Sequence, residues 1–247
     1  MERYWITGVS RGIGAALARE LANAEREIIG LSRTVDPGLA AELTAAGAVF
    51  RHLPVDLTDI RSVRHQQDDI FAPPGSASRL CIINNAGMIG ALAPVGGLGT
   101  SVEETVGLNS IALFVLCDLF AAAYQDFPLE KFIVNITSGA AREAKASMSL
   151  YCATKASVDM FTSAMGIEQE SRPHPIQVQA VSPGMVETGM QETMRGKTVE
   201  EVPWSDLFRE AKRSGKVQAP EDAAARIVRN IFEPRENGAI LRFHDLE

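Results

Sequence analysis

The stretch that most constrains the fold of this chain lies near its amino terminus, where a strand, a glycine-rich turn and a helix follow one another. Residues 3–7 form a short aromatic and β-branched run, typical of a strand. The turn GVSRGIG, residues 8–14, follows, and the Ala- and Leu-rich residues 15–24 predict a helix. Glycines let the backbone approach a pyrophosphate, and a helix N-terminus favours an anion. The stretch therefore predicts a dinucleotide site, although its GxxxGxG spacing departs from GxGxxG and a purely structural turn is the alternative.

The rest of the chain continues to alternate strands with helices. Strand patterns lie at 27–32, 49–55, 80–83, 133–137, 177–181 and 238–243, and helix patterns lie at 37–47, 60–71, 101–124, 149–170 and 220–232. This alternation predicts an α/β protein, a single-domain Rossmann fold whose doubly wound parallel sheet has about seven strands with helices on both faces. We predict one dinucleotide-binding domain over residues 1–247. Its less regular segment, about 189–217, carries its own aromatic side chains and is interpreted as a substrate lid or, alternatively, as amphipathic packing helices.

Composition excludes several classes of partner. The net charge of −7 and the pI near 5.2 argue against nucleic acid, which requires a basic face. The three cysteines have no CxxC spacing, which indicates a reducing compartment and no zinc site. The longest apolar run, Ile111 to Cys117, is too short to span a bilayer, and the structured motif begins too early for a signal peptide. We therefore expect a cytoplasmic protein without a membrane or metal partner.

A tyrosine and a lysine four residues apart, Tyr151 and Lys155, fall on one face of a predicted helix. A free phenol has a pKa of about 10, which makes it a poor acid or base at neutral pH. A neighbouring ammonium is expected to lower that pKa towards the working range. The pair therefore predicts a general acid, and a chance pairing on an exposed face is the alternative.

The end of the second predicted strand indicates which dinucleotide binds. NAD-preferring folds place a carboxylate there for the ribose 2′-hydroxyl, whereas an arginine accommodates a 2′-phosphate. This chain has Ser32 and Arg33 at that point, and Arg11 in the glycine turn offers a second cation. The sequence therefore predicts NADP(H), with two solvated surface arginines as the alternative.

Taken together, the motifs resemble the short-chain dehydrogenase/reductase family over essentially the whole chain. The cofactor loop is matched by Gly8, Ser10, Arg11, Gly12, Ile13 and Gly14, the second signature by Asn84, Asn85, Ala86 and Gly87, and the nicotinamide loop by Pro183, Gly184, Val186 and Thr188. The family's catalytic tetrad falls on Asn109, Ser138, Tyr151 and Lys155. Arg33 and the tail after Asn237 resemble the branch that contains benzil and sepiapterin reductases. Arg242 replaces the aspartate that anchors the pterin in the latter, and an arginine cannot accept hydrogen bonds from a pterin.

The resemblance implies an NADPH-dependent carbonyl reductase. Tyr151 would protonate the carbonyl oxygen, Ser138 would hydrogen-bond that oxygen, and Lys155 would hold the nicotinamide ribose. Asn109 would contribute to cofactor binding in the same region and would support a water chain to Lys155. Asp56 and Leu57 would flank the adenine. By resemblance the two long helices also pair across a two-fold axis, so we expect a homodimer.

Apolar residues near the expected site indicate the substrate. Besides Ser138 and Tyr151, the substrate would contact Met148, Met185, Met190, Trp204 and Phe208, which offer adaptable apolar surface without an obvious counter-charge. We therefore expect a ketone or 1,2-diketone, with an aromatic diketone such as benzil favoured.

Four other functions remain open at this stage. The chain could reduce a pterin, or oxidise an alcohol as a dehydrogenase, since one site runs in both directions. It could instead be a non-catalytic NADP-sensing protein, or an assembly partner. The retained Tyr151 and Lys155 argue against a sensor, and the nicotinamide loop argues against a purely structural role.

Overall fold

The chain forms one parallel sheet of seven strands with helices on both faces. A computed structural model describes residues 1–246. The strands lie in the order β3-β2-β1-β4-β5-β6-β7, and every neighbouring pair is parallel. They are β1 Glu2–Thr7, β2 Arg26–Ser32, β3 Val49–Pro54, β4 Arg79–Asn84, β5 Glu130–Ile136, β6 Gln177–Val181 and β7 Ala239–Leu241. The predicted Rossmann fold is confirmed. The strand order reverses between β1 and β4, which is where such sheets bind ligands.

Ten α-helices are described among these residues. They are α1 Gly12–Leu21, α2 Pro37–Ala45, α3 Ile60–His65, α4 Gln67–Ile70, α5 Ser101–Val106, α6 Ala112–Tyr124, α7 Ser149–Gln169, α8 Gly189–Arg195, α9 Ser205–Arg213 and α10 Pro220–Asn230. The helix predicted over 60–71 is interrupted at Gln66, whose φ of −91° and ψ of 7° leave the helical region. The final strand ends two residues earlier than predicted, because residues 243–245 turn into a short 3₁₀ helix.

Two apolar cores lie on opposite faces of the sheet, because side chains alternate along each strand. On one face Trp5 contacts three aromatic rings, Phe71 just after α4 and Phe120 and Tyr124 on α6. On the other face Tyr4 and Ile6 pack with residues of α1, α2 and α10. Burial on both faces holds β1 in place within the sheet. This fixes the position of the glycine turn that follows it.

The long helix predicted over 101–124 is continuous but changes its winding. Between α5 and α6, the five residues Gly107–Ile111 form a π segment, and Asn109 lies within it. By length and composition the 24-residue run Ser101–Tyr124 could cross a membrane, but half of its most apolar window is buried within the fold. Core helices meet the same criterion. The sequence analysis missed this run because it counted only uninterrupted apolar residues, Ile111 to Cys117, and did not average over a longer window.

The segment predicted as a lid contains α8 and α9. Glu187, just before α8, forms ion pairs of 2.5 Å with Arg195 and 2.8 Å with Lys212. Both cations lower the pKa of the Glu187 carboxyl through hydrogen bonds. Arg209 on α9 donates hydrogen bonds to the carbonyls of Arg195 and Lys197. The two helices are thus tied to each other and to the loop after β6, and their role as a lid stays a prediction.

Candidate active site

A large cavity of about 1830 Å³ opens at the carboxyl ends of the strands. It spans the switch point of the sheet and reaches the segment containing α8 and α9. The sequence-predicted residues that line it are Gly8, Ser10, Arg11, Gly12, Ile13, Ser32, Arg33, Asp56, Leu57, Asn85, Ala86, Gly87, Ser138, Met148, Tyr151, Lys155, Pro183, Gly184, Met185, Val186, Thr188, Met190 and Phe208. Three predicted residues, Gly14, Asn109 and Trp204, do not line it.

The glycine turn forms a cradle at one wall of the cavity. Gly8 and Gly12 have φ values of +69° and +58°, which a residue with a side chain rarely adopts. Gly14 serves packing instead of lining the cavity, since a Cβ there would lie 2.3 Å from the Gly8 carbonyl oxygen. Its predicted role in cofactor binding stays a prediction, and the structure adds that Gly14 allows the close approach of α1 to the turn. The N-cap residue Arg11 has no side-chain cap, which leaves the first N–H groups of α1 available to an anion.

The second signature is fastened to β1. The Thr7 hydroxyl accepts hydrogen bonds from the backbone N–H groups of Asn85 and Ala86, both at 2.9 Å. The Asn85 side chain donates to the Thr7 carbonyl at 3.0 Å. These bonds hold the loop after β4 beside the glycine turn, so that both border the same crevice.

The adenosine-side residues gather at the ends of β2 and β3. Ser32 is buried and donates a hydrogen bond from its hydroxyl to the Thr34 carbonyl. Arg11 and Arg33 are exposed at the rim. Asp56 accepts hydrogen bonds from the backbone and hydroxyl of Thr58, which together with nearby Arg33 lower the pKa of its carboxyl. The rim therefore presents two cations, Arg11 and Arg33, while the Asp56 carboxylate is hydrogen-bonded within its own turn.

Ser138, Tyr151 and Lys155 converge from β5 and α7. The Lys155 ammonium donates a hydrogen bond of 2.8 Å to the Ile136 carbonyl, and it lies 5.9 Å from the centre of the Tyr151 ring. Burial lowers the pKa of Lys155 to about 8. The Ser138 hydroxyl accepts a hydrogen bond from the Ala140 backbone, which sets its direction past the end of β5.

The expected lowering of the Tyr151 pKa is not found. Burial raises the pKa of Tyr151 to about 12, and a hydrogen bond with Ser138 opposes this only in part. Lys155 does not offset the burial, because its ammonium is itself buried and directed at the Ile136 carbonyl. Tyr151 is therefore protonated at neutral pH, as a free phenol is, and its raised pKa makes it a weaker proton donor than the pairing with Lys155 predicted.

Asn109 lies behind the cavity wall. The side chain is buried and pairs with both backbone groups of Met88, each at 2.8 Å, while also donating to the Thr154 hydroxyl. A Cβ at Gly87 would lie 3.3 Å from the Asn109 amide oxygen and 3.7 Å from the Lys155 ammonium. Asn109 thus fixes the loop after β4, next to Lys155, and its predicted role in cofactor binding stays a prediction.

Trp204 also differs from the prediction. Its indole N–H donates a 2.6 Å hydrogen bond to the Ala146 carbonyl, and its ring meets Phe208 edge-on at 4.9 Å. This bond holds the indole against the loop that precedes α7, and Trp204 is not among the residues that line the cavity. Trp204 therefore supports the wall that Met148 and Phe208 line, without lining it.

Charged residues at the substrate end were missed from the sequence. Arg142, Glu143, Lys145 and Lys216 line the cavity there, so the expected absence of a counter-charge is wrong. Lys145 forms a 3.0 Å ion pair with Glu143, and Arg142 pairs with Asp159. The cluster of charges between Ser138 and Tyr151 is visible in the sequence, but whether it faced the cavity depended on the path of that loop.

Comparisons with known proteins agree with this architecture. The profile of the short chain dehydrogenase family matches residues 3–198. The benzil reductase ((S)-benzoin forming) of Bacillus subtilis (strain 168) is 31% identical over 243 residues, 97% of each chain, and that of Bacillus cereus is 30% identical over 97% of this chain and 98% of the relative. The sepiapterin reductase of Bos taurus is 29% identical over 97% of this chain and 93% of the relative.

Solved structures show the same likeness. A short-chain dehydrogenase from Burkholderia cenocepacia J2315 in complex with NADP is 27% identical with a TM-score of 0.77, covering 98% of this chain and 95% of that one. A short-chain dehydrogenase from Sphingobium yanoikuyae in complex with NADPH is 26% identical with a TM-score of 0.78, covering 98% and 87%.

The chain belongs to the short-chain dehydrogenase family. It is a nicotinamide-dependent oxidoreductase that acts on alcohol or carbonyl groups. Within the family it falls in the branch that contains the benzil and sepiapterin reductases.

Proposed function

We propose that this protein is an NADPH-dependent carbonyl reductase whose substrates are ketones and 1,2-diketones, with benzil-like aromatic diketones favoured. The observation that carries the proposal is the convergence of Ser138, Tyr151 and Lys155 in a cavity shared with the glycine cradle. The similarity to two benzil reductases over nearly the whole chain supports the substrate class.

The cradle suits a dinucleotide, and the rim suits a 2′-phosphate. Gly8 and Gly12 leave room for a pyrophosphate against the N–H groups of α1. Arg11 and Arg33 can bind the phosphate with bidentate guanidinium groups. Two similar solved structures contain NADP and NADPH, which supports the same choice here. When bound, this cofactor supplies the hydride.

The side chains of this chain handle the proton and the developing charge. Tyr151, whose phenol is protonated at neutral pH, donates its proton to the carbonyl oxygen. Ser138 donates a hydrogen bond to the same oxygen and stabilises its negative charge. Lys155 would hold the ribose and would stabilise the phenolate left on Tyr151. Asn109 anchors the wall beside Lys155 through its bonds to Met88.

The substrate end favours an apolar ketone with a second polar group. Met148, Met185, Met190 and Phe208 provide a flexible apolar wall. Arg142 and Lys145, which line the same cavity, offer N–H groups from which the second oxygen of a 1,2-diketone can accept a hydrogen bond. The tail supports a ketone over a pterin, since exposed Arg242 lacks the acceptor that a pterin requires.

The test follows NADPH absorbance with a panel of carbonyl compounds. Benzil and aryl ketones are expected to be reduced faster than pyruvate, acetoacetate or sepiapterin. Chiral chromatography of the benzil product identifies which benzoin enantiomer forms. Faster reduction of sepiapterin or of a small keto acid contradicts the substrate assignment. No turnover of any carbonyl or alcohol, with NADPH still bound, favours the sensor instead.

A further inference from the structure

Asp159 lies one helical turn beyond Lys155 on α7, and its carboxylate is almost enclosed. The side chain is 14% exposed, and both oxygens are buried. Within residues 1–246 neither oxygen makes a hydrogen bond; the Arg142 guanidinium approaches Oδ2 at 3.1 Å without hydrogen-bond geometry. A buried carboxylate with so little compensation destabilises a fold unless other charges offset it. Its surroundings must therefore supply a further interaction.

Lys155 is the cation in position to do so. Side chains four residues apart are neighbours on a helix surface. The Lys155 ammonium is buried against the Ile136 carbonyl, and that burial disfavours its charged form. The negative charge of Asp159 acts in the opposite direction and raises the pKa of Lys155. Each group thus reduces the cost of burying the other without direct contact.

Few other charges face Lys155. The elements packed against α7 include β6, β7 and the π segment, none of which contains a charged residue. α5 contributes Glu103 and Glu104, both of which are exposed. The loop after Ser138 contributes Arg142, Glu143 and Lys145, of which the last two form an ion pair with each other. The Tyr151 phenol and Cys152 thiol are the titratable neighbours on α7 itself.

We propose that Asp159 is a positioning residue that keeps Lys155 in its charged form, and that Arg142 sets how strongly it does so. A charged Lys155 is needed to bind the ribose and to stabilise the phenolate that Tyr151 becomes. Arg142, Asp159 and Lys155 therefore form a row of alternating charges. The row ends at the catalytic pair of Tyr151 and Lys155. The inference rests on the proposed function only for its effect on turnover.

The direct test is the titration of Lys155 in the cofactor-free protein. The chain has six lysines, so NMR of protein labelled with ¹³C at the lysine ε-carbon gives few signals, and Lys155→Arg identifies the relevant one. Asp159→Asn is expected to lower the Lys155 midpoint by about one pH unit, the scale of a unit charge at several ångströms in a partly polarisable interior. The alkaline limb of kcat/KM should shift in the same direction. Asp118→Asn removes an equal charge at a 70% exposed position on α6 and should change neither.

A second variant gives the opposite sign. Arg142→Gln removes the cation that competes for Asp159, so the Lys155 midpoint should rise. If the pair of Arg142 and Asp159 were purely structural, the two variants would shift the Lys155 midpoint in the same direction or not at all. If Asp159→Asn does not fold, Arg142→Gln carries the test by itself.

An unchanged Lys155 midpoint in both variants overturns the proposal. A shifted midpoint in a protein that reduces no carbonyl compound supports the role of Asp159 and contradicts the proposed function. The two failures are therefore distinguishable.

Discussion

At the residue scale, Tyr151 carries the proton that the carbonyl oxygen would receive, and its phenol is protonated at neutral pH. Tyr151→Phe preserves the ring and removes only the proton donor. We expect turnover to fall by roughly 10²–10⁴-fold, the usual contribution of general acid–base catalysis, with NADPH binding largely unchanged. Stopped-flow reduction of benzil and fluorescence titration of NADPH measure the two quantities. A near wild-type rate in Tyr151→Phe would exclude the mechanism.

The choice of cofactor is also decided by single residues. A hydrogen bond to a charged group contributes about 1.5–3 kcal/mol, and about 1.4 kcal/mol is tenfold in affinity. Arg33, with Arg11, should therefore favour NADPH over NADH by about ten- to a hundredfold, less at high ionic strength because the rim is exposed.

The double variant Ser32→Asp with Arg33→Leu should abolish or reverse that preference, since a carboxylate repels phosphate and accepts from a 2′-hydroxyl. The ratio of kcat/KM for the two cofactors is the measurement. Arg64→Leu removes a cation on α3, outside the cavity, and serves as the control. Equal efficiency with both cofactors in the unmodified protein would show that neither arginine binds the phosphate.

At the element scale, the Trp204 indole connects the segment after α8 to the loop before α7. That loop includes Ser147, whose φ of +63° is strained for a residue with a side chain. Trp204→Phe keeps an aromatic ring but loses the bond to Ala146, worth about 0.5–1.5 kcal/mol. We expect KM for an aryl diketone to rise about two- to tenfold, because Met148 and its wall are less firmly held.

Trp5→Phe is the matched control for this prediction. It removes a similar indole bond, 2.7 Å to the Ile70 carbonyl, in the core below the sheet. That variant should lower the melting temperature and leave KM unchanged. If Trp204→Phe lowers stability but not substrate affinity, Trp204 has only a packing role.

At the scale of the whole molecule, α6 and α7 expose apolar side chains that the chain itself does not cover. Met160 is 71% exposed and Ile167 is also exposed on α7, while Ile111 is exposed where the π segment ends. Phe114 and Phe161 stack at 4.3 Å between the two helices. Helices that are apolar beyond one face require a second partner surface.

We expect light scattering at micromolar concentration to give twice the 26.6 kDa chain mass, with Met160→Glu dissociating the dimer. The charge would have to be buried against a second copy without a partner. Val95→Glu, at a 78% exposed loop position, is the control and should remain dimeric. A monomeric mass for the unmodified protein would contradict the assembly.

The sequence by itself determined the alternation of strands and helices, the cradle glycines and the Tyr151–Lys155 pair. Each of these depends on local properties: apolar periodicity, backbone freedom and the spacing of a helix. Even here local patterns missed the break at Gln66 and the π winding around Asn109, because packing against distant elements selects between backbone states of similar energy.

Only the tertiary structure decided which side chains reach the cavity and how strongly they ionise. Asn109 faces Met88 and Trp204 faces Ala146 because the partners that satisfy their polar groups are distant in sequence. Arg142 and Asp159, likewise, meet only when the loop after β5 folds onto α7. The pKa of Tyr151 rises instead of falling because desolvation depends on everything packed around the phenol, whereas the sequence showed only its nearest cation.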